Sequence, residues 1–205
     1  MPKKLIPDIV IGRLPLYYRV LQRMLAKGQK VTSSKELSEY LEISAAQIRK
    51  DLSQFGEFGK QGTGYHTEYL SNQLRKILQL DRIWDMAVVG AGDVGSALAH
   101  YQGFHERGFK VAMIFDNDPQ KIGMKLGDFV VKDTGSMVDE IKKAGIKIAM
   151  IAVPASEAQD VTDTLVEAGI KAILNYAPIH IITPPDVRLQ CIDPVVFLQR
   201  MTYYI

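Results

Sequence analysis

The segment Gly90-Ala91-Gly92-Asp93-Val94-Gly95 constrains this chain more than any other. It follows the apolar run Met86-Ala87-Val88-Val89, which reads as a buried parallel strand. It precedes Ser96-Ala97-Leu98-Ala99-His100-Tyr101, which reads as a helix start. A second apolar run, Val111-Ala112-Met113-Ile114-Phe115, ends in Asp116, 21 residues past Gly95. Strand, glycine turn, helix, strand and terminal acid together make a dinucleotide fingerprint in its structural context. In that arrangement Gly90 makes the tight turn, Gly92 lets the backbone approach a pyrophosphate, and Gly95 lets the helix pack on the strand. The amides that open the helix face the phosphates. Asp116 is placed to accept hydrogen bonds from an adenosine ribose and to repel a 2′-phosphate. That favours NAD(H) over NADP(H), with Lys121 nearby as the one opposing feature.

The C-terminal half fits a doubly wound parallel sheet of the Rossmann kind. Residues 146–153 form a strand ending at Pro154, residues 156–168 a helix closed by Gly169, and residues 172–174 a further strand. A last strand spans 187–192. Ligands of such sheets lie beyond the carboxyl ends of the strands. Val153, Pro154, Asn175, Tyr176, Ala177 and Pro178 are therefore expected on the nicotinamide side, or else are plain strand-ending turns. Asp193 suits an N-cap and Pro194 the first position of a closing helix. That helix is unusually apolar, so it folds onto its own domain or inserts into a partner.

Charge separates the N-terminal stretch from the rest. Residues 1–80 carry 13 Lys/Arg against 7 Asp/Glu, a balance of +6, while residues 81–205 carry 12 against 16, a balance of −4. A basic module joined to an acidic one suggests that only the first meets a polyanion. No apolar run approaches the ~20 residues of a membrane span, and Met-Pro-Lys-Lys lacks the apolar stretch of a signal peptide. Cys191 is the only cysteine, so no intrachain disulfide forms and a reducing cytoplasm is the expected setting.

Pro15 suits the first turn of a helix continuing to residue 26, with Val20, Leu21 and Met24 at helical spacing and Gly28 as its C-terminal cap. Ser33 with Glu36, and Ser44 with Gln47, each match a capping box. Helices over 34–41 and from 45 onward, joined at Glu42-Ile43, make a helix-turn-helix. On the second helix Ala45, Ile48, Leu52 and Phe55 face inward. Ala46, Gln47, Lys50, Ser53 and Gln54 face outward with Arg49 on the flank, and Ser44 stands at the start. Small, amide and basic side chains suit a major groove, although a solvated face with Gln47 as cap partner reads the same way.

Residues 55–65 alternate aromatics with glycines around Lys60 and read as a hairpin, the wing of a winged helix over 14–66, with Lys60 reaching a phosphate. His66 is structural. A linking helix over 68–80 completes a first domain of residues 1–80, before a nucleotide domain over 81–192 and a terminal helix over 193–205.

A catalytic role finds little support. His66, His100, His105 and His180 form no acid–base constellation, Tyr101 lacks a lysine four residues on, and there is no metal-ligand cluster. Nucleotide domains of this type also hold CoA-like molecules, and Asp116 is the argument for NAD instead.

Over nearly its whole length the chain resembles the Rex family of redox-sensing bacterial transcriptional repressors. The similarity is carried by Leu16-Tyr17-Tyr18-Arg19, Thr32-Ser33-Ser34-Lys35-Glu36-Leu37, Gln47-Ile48-Arg49-Lys50-Asp51-Leu52-Ser53-Gln54-Phe55-Gly56 and Gly62-Thr63-Gly64-Tyr65. Gly95-Ser96-Ala97-Leu98-Ala99 and Phe115-Asp116-Asn117-Asp118-Pro119 add to it. The resemblance implies a homodimer with exchanged C-terminal helices. It implies palindromic double-stranded operators ahead of fermentative and respiratory genes, with NADH releasing the DNA and NAD+ permitting binding. It also implies a redox-sensing group carried by Arg19, Tyr101 and Asp193. Beside that resemblance, charge and hydrogen bonding allow Asp193 to pair with Arg19 in one dimer arrangement and with Tyr101 in the other, or else Asp193 is a plain helix cap.

Overall fold

A stripe of apolar residues at helical spacing builds the first helix, α1 (Asp8–Ala26). Val10, Leu14, Tyr17, Leu21 and Met24 are all buried along it. The stripe reaches back past Pro15, so the helix begins at Asp8 rather than at the proline. Pro15 sits on the exposed side of α1, where losing one i→i−4 bond is offset by burying Val10 and Leu14. The computed structural model describes residues 6–60 and 62–205. The chain divides into two units, the first ending at Arg82 and the second starting at Ile83.

In the first unit β1 (Val31–Thr32), α2 (Ser34–Leu41), α3 (Ala45–Leu52), β2 (Gly59–Lys60), β3 (Gly64–His66) and α4 (Thr67–Ile77) come after α1. Leu37, Ile48, Leu52, Leu70 and Leu74 close onto Tyr17 and Leu21 in one core. Glu42, in a left-handed conformation at φ 53°, turns the chain between α2 and α3. β2 and β3 form the expected hairpin, with Lys60 opposite Gly64. The side chain of Lys60, and all of Gln61, lie outside the described residues. β1 pairs antiparallel with β3 to give the order β1-β3-β2. His66 caps α4 through Nδ1, which accepts from the Tyr69 amide at 3.5 Å. The linking helix ends at Ile77, short of Leu80, where Gln79 takes a left-handed φ of 55°.

The second unit runs β4 (Trp84–Val89), α5 (Asp93–His100), β5 (Phe109–Asp116), β6 (Lys125–Leu126), β7 (Phe129–Asp133), α6 (Met137–Ala144) and β8 (Ile148–Ile151). α7 (Ala158–Glu167), β9 (Ala172–Asn175), β10 (Arg188–Cys191) and α8 (Pro194–Thr202) complete it. The sheet order is β10-β9-β8-β4-β5-β7-β6, all parallel except the β6–β7 hairpin. Leaving out β6, this is the dinucleotide-binding order, with its reversal of direction between β4 and β8. A winged helix joined to a Rossmann-like sheet is therefore the architecture, as the sequence predicts. α8 buries none of its residues, and Val195, Phe197, Leu198 and Met201 are each more than half exposed.

Candidate nucleotide cleft and nucleic-acid interface

The three fingerprint glycines answer three different needs. Gly90 leaves β4 at φ +101°, a conformation that disfavours side chains, and a Cβ there would stand 2.5 Å from the Ala152 carbonyl oxygen. A Cβ on Gly95 would collide with the carbonyl oxygen of Gly90, so α5 packs directly onto the turn. Gly92 meets nothing within 4 Å, because it borders an open cleft. That cleft encloses about 810 Å³ at the reversal point of the sheet. Gly90, Gly92, Asp93 and Val94 wall it on one side, and Val153, Pro154 and Glu157 on the other. The amides that open α5 have no carbonyl partner within their own helix, which makes this edge suited to an anion. An open glycine edge below a helix N-terminus fits a pyrophosphate.

Asp116 stands at the expected place but is already engaged. It is 5% exposed. Its carboxylate accepts from the Ala91 amide at 2.6 Å, the Asp118 amide at 2.9 Å and Lys121 Nζ at 3.3 Å. Burial opposes its charge, but these donors prevail and hold the carboxyl below its ordinary range. Asp116 therefore braces the fingerprint turn first, with little acceptor capacity left for a ribose. Lys121 also offsets the charge that was expected to repel a 2′-phosphate. Sequence reasoning passed over Asp118, which shares the cleft wall, and Asn117, whose Nδ2 donates to Glu157 Oε2 at 3.1 Å.

Several expected cleft residues lie elsewhere. Ala91 turns its amide to Asp116, and Gly95 lies beneath the turn. Asn175, Tyr176, Ala177 and Pro178 do not line the cleft. Asn175 is fully buried, its Nδ2 donating to the Ala177 carbonyl and its Oδ1 accepting from the Ala177 amide, both at 2.9 Å. Its amide thus closes a turn. Tyr176 packs against the sheet, where burial raises its phenol. Tyr101 also stands off the cleft: half-exposed past α5, it accepts from Arg107 Nη1 at 2.7 Å and meets Phe104 edge-on. Asp193 caps α8 by accepting from the Val195 amide at 2.9 Å. Arg19 is exposed on α1, in the other unit.

In the first unit Ser33 and Glu36 complete a reciprocal capping box. Ser44 supplies only half of one. Its Oγ accepts from the Gln47 amide at 3.2 Å, but the Gln47 side chain turns away to donate to Asp51 Oδ1 at 2.7 Å. The carboxylate wins because a charged acceptor binds the donor more strongly than a backbone amide, itself a donor, could engage the glutamine. Ser44, Ala46, Arg49, Lys50 and Ser53 are exposed. Arg49 Nη1 also donates to Ser34 Oγ at 2.9 Å, tying α3 to α2. Ser53 and half-buried Gln54 lie just beyond the end of α3.

Asp51, unmarked by sequence reasoning, is the buried centre of this unit. It receives Arg13 Nε and the Tyr17 hydroxyl, each at 2.6 Å, and Arg13 Nη2 at 2.8 Å. Burial opposes its charge, and the bonds from Arg13, Tyr17 and Gln47 outweigh that and keep the carboxyl below its ordinary range. Burial, together with Asp51, raises the Tyr17 phenol. An acid one turn from a capping glutamine was the available signal.

Two family models match the chain: "Putative DNA-binding protein N-terminus" over residues 5–53, and "CoA binding domain" over residues 81–179. The redox-sensing transcriptional repressor Rex of Chloroflexus aurantiacus is 52% identical, covering 97% of this chain and 94% of its own length. The chain belongs to the Rex family. Among solved structures, that of RSP in complex with beta-NAD+ and operator DNA has a TM-score of 0.93 at 41% identity, covering 98% of this chain and 93% of that one. The structure of RSP with beta-NADH gives 0.88 at 39% identity, with coverage of 98% and 94%. The family is one of transcriptional repressors, not enzymes, and no helix among the described residues is long and apolar enough to cross a membrane.

Proposed function

We propose that this chain is an NAD(H)-responsive repressor that binds palindromic operator DNA as a homodimer in the cytoplasm and is released by NADH. The observation that carries the reading is the cleft at the β4–β8 reversal, with Gly92 open to it and Asp93 and Val94 of the first turn of α5 on its wall. Gly92 and the amides that open α5 would hold a pyrophosphate. Asp118 and the remaining capacity of Asp116 would take ribose hydroxyls, and Val153 with Pro154 would border the nicotinamide. When bound, the nicotinamide ring presents a planar cation if oxidised and a neutral ring if reduced.

Ser44, Ala46, Arg49, Lys50 and Ser53, with half-buried Gln47 and the wing at Lys60, form the DNA-facing set, while Gln54 borders it. The exposed apolar residues of α8 support its insertion into a second copy of the chain. In the switch, Asp193 exchanges between Arg19 and Tyr101, and Arg107 holds the Tyr101 hydroxyl when Asp193 is away. Carrying such an equilibrium from 1:99 to 99:1 takes about 5.5 kcal/mol of differential binding, shared here by two nucleotides per dimer.

Fluorescence anisotropy of a labelled operator, titrated with NADH at fixed NAD+, tests the reading. Release by NADH and not by NADPH is the expected result, and anisotropy indifferent to both overturns it. The family model named for CoA favours a second ligand; displacement of NADH by CoA in the same assay would establish that one instead.

A further inference from the structure

The outward chemistry of α3 is governed by a residue that never reaches its surface. Asp51 is fully buried, and its two oxygens take four donors. Oδ2 accepts from Arg13 Nε and the Tyr17 hydroxyl, and Oδ1 from Arg13 Nη2 and Gln47 Nε2. An ionised carboxylate offers about four lone-pair sites and no proton. Every site is filled, so each partner has to be a donor.

A glutamine amide has two ends of nearly equal size, one that donates and one that accepts. Turned round, Gln47 would press Oε1 against an anion with no hydrogen between them, where little water is present to relieve the repulsion. The carboxylate therefore selects one of the two amide orientations. A glutamine on an ordinary solvated helix face has no such constraint.

We infer that Asp51 is a positioning residue for DNA readout: it holds Gln47 so that α3 presents Oε1 and one remaining N–H outward. An acceptor beside a donor complements N6 and N7 of adenine in the major groove. The anchor is firm, because Tyr17 is among the largest fully buried side chains and Arg13 is largely covered. Ala46, the exposed neighbour of Gln47, leaves room for close approach. This inference rests on the proposal that α3 reads DNA.

A purely structural Asp51 would hold α3 to α1 without regard to base identity, and selection of duplexes with randomised half-sites separates the two roles. The full chain is expected to enrich one adenine per half-site at a position where Gln47→Ala alone abolishes the preference. Asp51→Asn, whose amide offers both a donor and an acceptor, frees Gln47 to turn. The adenine preference at that position is then expected to fall about tenfold while the rest of the motif keeps its rank order. Uniform weakening at every position, or an unchanged motif with Gln47→Ala, overturns the inference.

Should circular dichroism find Asp51→Asn unfolded, Gln47→Glu carries the test. Repelled by Asp51 and able only to accept, the new carboxylate is expected to exchange adenine for cytosine, whose N4 donates. An unchanged motif there overturns the inference. A wild-type chain that enriches no motif at all overturns the DNA-binding reading, and this inference with it.

Discussion

Asp51 in the first unit and Asp116 in the second are both almost wholly buried, at 0% and 5% exposure. Both are held below the ordinary carboxylate range. They reach that condition by different routes. Asp116 is satisfied chiefly by two backbone amides, those of Ala91 and Asp118, and by a partly exposed lysine. Asp51 is satisfied entirely by side chains, two of them on a helix more than 30 residues earlier in the chain. Backbone donors remain in place whatever side chains the neighbours carry. Side-chain donors make a joint that one substitution can open.

The largest effect should therefore come from Asp51→Ala. Removing one member of a buried pair leaves Arg13 and the Tyr17 hydroxyl without their acceptor, and the first unit is expected to lose about 3–5 kcal/mol. Urea unfolding followed by far-UV circular dichroism would measure it, and a loss below about 1 kcal/mol would mean that the joint does not anchor the unit. Gly95→Ala strikes the turn that Asp116 braces. Forcing α5 off the Gly90 carbonyl is expected to cost about 1–3 kcal/mol and to weaken NADH binding about tenfold by calorimetry.

Acid should act on both sites with the same sign. Each native value is depressed, so each carboxylate contributes its full stabilisation above the ordinary 3.8. That contribution is lost as pH falls below 3.8 and through the lowered native value. Urea midpoints should hold to about pH 4 and then decline, and Asp51→Ala should flatten that decline more than Lys121→Ala. The smallest effect belongs to Lys121→Ala itself, since its pair with Asp116 is partly exposed and worth about 0.2–1 kcal/mol. A larger loss would show that the two joints differ less than their partners suggest.

The same contrast explains what the sequence discloses. The fingerprint is legible because its needs are local: the left-handed turn at Gly90, the open edge at Gly92 and the close packing at Gly95 all fall within six residues. The helix-turn-helix is legible for a similar reason, with Ser33, Ser44 and an apolar stripe marking its ends. Other features depend on partners that spacing does not reveal. The Gln47 side chain leaves its cap for Asp51, and Asn175 folds back on its own turn instead of facing a ligand.

Pro15 misled because the buried positions of Val10 and Leu14 outweigh a single missing hydrogen bond. The β6–β7 hairpin and α6 went unseen because β7 buries only Val131, and α6 only Met137 and Ile141, too few positions to set a period.

A carboxylate with every lone pair taken has a mechanical consequence. α3 cannot slide or roll on α1 without breaking charged bonds, so the two helices travel as one rigid stylus. A nucleotide bound in the other unit has no inexpensive way to reshape that stylus. In the homodimer we propose, what it would alter is the spacing and tilt between two of them. B-DNA offers matching grooves only at intervals of about 34 Å, so a change of a few ångströms in that span is enough to put both tips out of register while neither is deformed.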